Sequence, residues 1–378
     1  MGRSVHVPIT PSVLEWAIEE SGLDTATVAE TIDVERDQLD AWLRGDEQPS
    51  LTAFKKLANA LRRPTATFLL PAPPKAKTVA IEFRHPPGVV DRELLPEERL
   101  AIREVRRLQE AVAWLVDELG LETEELPKLT TSTKPEIAGR RLRDLLGVDV
   151  ASQSTWRDPG VALKEWRRAI EKVGVLVFLL PIGGDAGRGF SLWDPRAPAI
   201  VANTHWNPAA RIYTLFHELA HLLTRTNSVC DDNGAGRSNQ DHPDLERWCE
   251  RVAAAALMPE VELREFVGDG TRADLGTAGR VATQFRVSLK AAVLRLIDLD
   301  LATWGLFKAL PAGTDSKQGG GGGKGRNRVQ VRIDEYGART INTFLRGVQR
   351  DVIGISDAMR YLDVSDQDLS ELEKTLAA

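Results

Sequence analysis

Apolar residues recur three and four apart through most of this chain, the spacing of amphipathic helices. The pattern runs through VLEWAIEE (13–20), TATVAETI (25–32), RDQLDAWLRG (36–45) and LTAFKKLANAL (51–61). Gly22, Gly45 and Pro49 punctuate these runs, and Asp24 and Ser50 stand where helix N-caps belong. Residues 96–120 predict one long amphipathic helix, with Pro96 in its first turn and Gly120 at its end. Two more helices are predicted over 137–147 and 161–174. The period then changes. VLVFLL (175–180) and APAIVAN (197–203) predict strands, with a turn at Gly183, Gly184, Gly187 and Gly189 between them. Helical spacing resumes over 211–223, 245–258, 274–285 and 288–298, and again beyond 329. The expected fold class is mainly α with a small β-sheet (α+β): an N-terminal all-α helix-turn-helix bundle, a central domain with the sheet, and a C-terminal helical region.

The punctuation divides the chain. Residues 1–70 form the short-helix unit, in which Thr27 to Glu30, Val34, Leu39 and Trp42 have the form of a helix-turn-helix. PAPPKAK (71–77) opens a linker that continues through the long helix to 130. The central domain is expected over 131–311, a glycine-rich linker over 312–328, and the C-terminal region over 329–378. A length of 378 residues suits two or three domains at roughly 100–200 residues each.

Composition narrows the class. The chain is 42% hydrophobic and 28% charged, ordinary for a water-soluble globular protein. No stretch approaches the roughly 20 apolar residues of a membrane span, and MGRSVHVPITPS lacks the apolar centre of a secretory signal. The two cysteines, Cys230 and Cys249, make no disulfide framework. A cytoplasmic protein without membrane contact is expected. The net charge of −6 argues against broad nucleic-acid binding but leaves local patches open.

Candidate chemistry concentrates in RIYTLFHELAHLL (211–223). His217 and His221 lie four apart and share a helix face, so both imidazoles can reach one metal ion. Glu218 sits about 100° round the helix, within reach of a water on that ion. This is the sense of H-E-x-x-H: two zinc ligands and a general base. Ile212, Leu215, Phe216, Leu219, Ala220, Leu222 and Leu223 mark the helix as buried, where polar groups need partners or a metal. A third ligand is required. Thr224 and Asn227 stand where an extended H-E-x-x-H-x-x-G-x-x-H motif needs glycine and histidine. His242 and Cys230 are loop candidates. On LERWCERVAAAALMP (245–259), Glu246, Cys249 and Glu250 share one face. Glu246 is the preferred ligand, with Glu250 one turn on to accept the other ring N–H of a ligating histidine. The reverse assignment stays open, and Cys249 reads first as a small buried hydrophobe. Such a site hydrolyses amides: zinc polarises the carbonyl and acidifies water, and Glu218 carries the proton to the leaving amine. Tyr213, His205 and His242 are candidates by type for stabilising the transition state.

On these residues the chain resembles the ImmA/IrrE family of zinc metallopeptidases, in the form fused to an N-terminal Xre/Cro-like helix-turn-helix domain. The resemblance rests on Tyr213 to His221 and on Glu246 to Pro259. The family's second segment carries a glutamate, an asparagine or acidic residue four on, then an alanine-rich run ending Leu-Met-Pro. Glu246, Glu250 and Leu257-Met258-Pro259 match it, and glutamate at 250 departs from the common asparagine. The resemblance implies a gluzincin-like zinc peptidase that cleaves a cognate repressor or antitoxin, in stress-response, mobile-element or toxin–antitoxin control.

The N-terminal unit is ambiguous between two partners. Arg36, Gln38 and Arg44 are the side chains that could contact DNA, since arginine and glutamine read guanine and adenine edges. Glu35, Asp37 and Asp40 on the same helix oppose phosphate binding. Protein docking or self-association to a homo-oligomer is the competing expectation. The alternative overall function is a DNA-binding regulator, or an antitoxin-like partner, whose peptidase fold senses rather than cleaves.

Overall fold

A computed structural model describes residues 6–74, 94–122, 125–225, 243–268, 272–311 and 327–377. The chain divides into two compact units, Met1–Thr78 with Asp91–Glu104, and Val79–Val90 with Val105–Ala378.

The first unit holds helices α1 (Pro11–Ser21), α2 (Thr25–Ile32), α3 (Arg36–Arg44) and α4 (Leu51–Ala60), then a 3₁₀ turn at Thr65–Leu69. Both expected N-caps form: Asp24 accepts from the Thr27 N–H and Ser50 from the Ala53 N–H. Gly22 and Gly45 end α1 and α3 in the left-handed conformation. The turn between α2 and α3 passes through Asp33 at φ 60°, which a short polar side chain tolerates. Leu14, Val28, Ile32, Leu39, Trp42, Leu57 and Phe68 pack the core. The helix α5 (Pro96–Glu118) gives its first turns to this unit, where Arg103 donates to the Leu61 and Arg62 carbonyls that end α4.

The second unit is built on strands β1 (Leu176–Leu180), β2 (Gly189–Leu192) and β3 (Ala199–Asn203), in the order β1-β3-β2. β1 runs parallel to β3 and β2 antiparallel to it, with Ser191 opposite Ile200. The two apolar runs form strands as expected. β2 corrects the reading of its segment, because Gly189 begins a strand rather than belonging to the turn. Its four residues are too few for alternation to declare themselves.

Helices α6 (Pro135–Leu146), α7 (Val150–Thr155) and α8 (Pro159–Lys172) precede the sheet. α9 (Pro208–Thr224) follows β3 and packs on β2, β3, α8 and α10 (Pro243–Leu257). α6 lies so close to α10 that a Cβ on Gly139 would stand 2.7 Å from the Ala256 nitrogen. α11 (Glu260–Val267), α12 (Leu275–Phe285), α13 (Leu289–Asp298) and α14 (Trp304–Lys308) complete the central part. At its heart the guanidinium of Arg295 is fully buried, donating to the Met258 carbonyl and pairing with Glu136 and Asp298.

The C-terminal helices α15 (Arg328–Gln349), α16 (Ile355–Leu362) and α17 (Asp366–Ala377) belong to this same unit. α15 packs on β1 and breaks at Gly337, whose φ of 81° and ψ of 157° suit only glycine. There the buried pair Arg167–Glu171, 3.0 Å apart, reaches across from α8. Arg167 donates to the Asp334 carbonyl, and Glu171 accepts backbone N–H groups of Ala338 and Arg339, which begin the second half of α15. Most of the glycine tract lies outside the described residues. Among the described residues no helix is long and apolar enough to cross a membrane.

Candidate metal centre

α9 starts firmly. Asn207 caps it by accepting the Ala210 N–H, and Pro208 presets its first turn. Apolar residues then cover it on nearly all sides, so the helix is buried and carries its polar residues inward with it. His217 and Glu218 are only 1% and 2% exposed. Charged or polar groups that deep need partners.

α10 brings the third donor. His217 Nε2 and His221 Nε2 lie 3.1 Å apart, and the Glu246 carboxylate stands 3.2 Å from the first and 3.0 Å from the second. Zinc bonds of roughly 2.0–2.1 Å in a tetrahedron set donors about 3.3 Å apart. The three donors therefore have the spacing of one face of a zinc tetrahedron, with two imidazole nitrogens and one carboxylate oxygen. Among the described residues this is the His/Cys/Asp/Glu group able to hold a metal. Burial alone would push the Glu246 carboxyl up. Hydrogen bonds from His217 and His221 outweigh it and hold the group well below the usual carboxylate range. Burial pushes His221 down, but Cys249 and Glu246 beside it raise the imidazole well above its ordinary 6.5.

Of the sequence candidates on α10, Glu246 joins the histidines. Cys249 is buried as read, with its thiol against His221. Burial pushes that thiol up. Glu250 departs from expectation. Its side chain is exposed, and its main-chain carbonyl is the engaged group, accepting the Tyr213 hydroxyl at 2.8 Å. One turn beyond Glu246 the helix face has rotated toward solvent, so the residue expected behind a histidine lies at the surface. The same bond engages Tyr213, whose hydroxyl ties α9 to α10. His205 sits in the loop after β3, its ring against Gly184. Cys230 and His242 lie outside the described residues.

The sequence reading missed Ser191. Its hydroxyl donates to Glu218 Oε2 at 2.9 Å. The available signal was the short apolar–polar alternation Phe190-Ser191-Leu192 after the glycines, too brief to stand out. Asn203, fully buried at the end of β3, was also missed. Its side-chain amide donates to the Gly183 and Gly187 carbonyls and its oxygen accepts the Ile182 and His205 N–H groups, fixing the glycine loop that leads into β2.

In the first unit Arg36, Gln38 and Arg44 are all exposed. Arg36 lies 4.0 Å from Asp40, and Arg44 lies 2.7 Å from Asp46. Both arginines among the candidate DNA contacts therefore have carboxylates of their own chain beside them.

An α+β domain whose buried helix presents two histidines and a glutamate to a carboxylate from the next helix has the build of a metallopeptidase. Residues 170–296 match the family model described as the IrrE N-terminal-like domain, Peptidase_M78, which supports a metallopeptidase-type function. The match spans β1 through most of α13 and so includes every donor of the centre. Comparison with curated proteins returned no match.

Proposed function

We propose that the chain is a zinc-dependent endopeptidase that cuts a specific protein, a transcriptional repressor or an antitoxin. The supporting observation is the donor set: His217, His221 and Glu246 at 3.0–3.2 Å from one another, with Glu218 on the neighbouring position of the same helix. These three residues would hold the ion. Zinc supplies Lewis acidity there, polarising a peptide carbonyl and making water a stronger acid. Glu218 accepts the proton of the attacking water and returns it to the leaving amine. The apolar wall of α9 excludes bulk water and strengthens each of these charge interactions.

The regulatory class of substrate comes from the sequence resemblance, and the first unit is the natural place for recognition. Residues 6–74 hold eleven Asp or Glu against six Lys or Arg, which disfavours phosphate contact and favours a protein partner over DNA.

Elemental analysis tests the site. Wild type should hold near-stoichiometric zinc, His217→Ala and Glu246→Ala should lose it, and Glu250→Ala should keep it. Wild type folded without zinc would overturn the peptidase reading and leave the regulator or antitoxin-like binding role. Co-expression with the products of adjacent genes then tests cleavage, which Glu218→Gln should abolish.

A further inference from the structure

We infer that Ser191 is a positioning residue for Glu218, fixing one carboxylate oxygen so that the other performs the proton transfer. The inference rests on the zinc-peptidase reading above and adds to it a residue on a different element.

The geometry is a matched pair of periods. Alternate residues of a strand share a face and lie roughly 6.6 Å apart, while one turn of helix advances about 5.4 Å. β2 and α9 use both. Gly189 lies against Thr214, so close that a Cβ there would stand 2.5 Å from Thr214 Cγ2. Two residues on along the strand is Ser191, and one turn on along the helix is Glu218. Their side chains meet at 2.9 Å. The glycine sets the approach, and the serine and glutamate complete it.

The donor is delivered by a strand anchored on both sides. β2 pairs with β3 along its length, and Phe190 and Leu192 are buried. Beyond it the buried Gln109 amide of α5 donates to the Leu192 and Ala197 carbonyls at 3.0 and 2.9 Å. A hydroxyl so held bonds a carboxylate more strongly than a neutral acceptor, and it limits a side chain that otherwise rotates about three torsions. General-base catalysis depends on that placement, because a base displaced by about 1 Å loses much of its effect.

The test uses the full chain loaded with zinc, as wild type, Ser191→Ala, Ser191→Thr and Glu218→Gln. Zinc content is measured first. Calorimetric titration with acetohydroxamate follows, a probe that chelates the metal and sheds a proton to a neighbouring base. Zinc should be equal in all four proteins. Affinity should fall about tenfold in Ser191→Ala, the scale of one hydrogen bond to a charged group. Ser191→Thr, which keeps the hydroxyl, should stay within about twofold of wild type, and Glu218→Gln should fall at least as far as Ser191→Ala. Ser191→Ala binding as tightly as wild type would overturn the inference alone, as would equal weakening in the alanine and threonine variants. A zinc-free wild type would instead overturn the metal reading beneath it.

Discussion

Adding a single methyl group at Gly189 should disturb stability and site together. In Gly189→Ala the new Cβ would stand 2.5 Å from Thr214 Cγ2 and closer still to the Val201 carbonyl of the paired strand. Non-bonded carbons prefer about 3.5–4.0 Å, so β2 must retreat from α9 by roughly 1 Å. The carbonyl is backbone and the threonine is itself buried, so neither yields as a flexible side chain would. Overpacking of this kind typically costs about 1–3 kcal/mol. For a unit of this size that lowers the melting temperature by roughly 3–10 °C. The same retreat stretches the 2.9 Å contact from Ser191 to Glu218 past hydrogen-bond reach of about 3.5 Å. Thermal melts of the zinc-loaded protein read the first effect, and acetohydroxamate affinity reads the second. Gly347→Ala is the control, because the nearest neighbours of its Cβ would be Leu115 and Ile353 rather than β2 or the donor helices. It should destabilise without weakening the probe more than its loss of stability accounts for. A Gly189→Ala protein that melts within 1 °C of wild type would refute the close-packing argument.

Three further outcomes are expected. The metal-free protein should lose stability as pH rises above about 6.5, because His221 has a raised folded-state pKa and its stabilising proton is present below the unfolded value and lost through the folded one. Zinc affinity should climb across the same range as that proton stops competing; melts with and without chelator at several pH values check both, and a chelated protein whose stability is flat with pH contradicts them. Arg295→Met should cost about 3 kcal/mol, the low end for breaking a buried ion pair, since Glu136 and Asp298 keep partial solvent contact; urea unfolding measures it, and a loss below about 1 kcal/mol would show that the network is dispensable. Gly337→Ala places its Cβ into the Glu171 carboxylate and forces a glycine-only conformation, so protease sensitivity should rise in α15 around the break; unchanged digestion would show that the break carries no strain.

What the sequence determined by itself is local. Asp24 and Ser50 cap their helices because a cap needs only a side-chain oxygen three residues before an N–H. His217 and His221 share a face because a helix repeats every 3.6 residues, and the apolar run around them was enough to bury them. Glu246 and Glu250 were both legible as candidates, since both lie on one face of an evident helix. Which of the two turns inward depends on how α10 leans on α9, and that is settled by Gly139, Tyr213 and the packed alanines rather than by spacing. Ser191 belongs wholly to tertiary structure. Twenty-seven residues separate it from Glu218, its strand has four residues, and its role exists only because a glycine two places earlier lets the strand touch the helix. Likewise the C-terminal helices read as a separate region after a glycine tract, yet Arg167 and Glu171 draw α15 onto β1. Periodicity reports which way a side chain points from its own element. Distance between elements is set by packing, and packing is decided by the shapes of residues far apart in the chain.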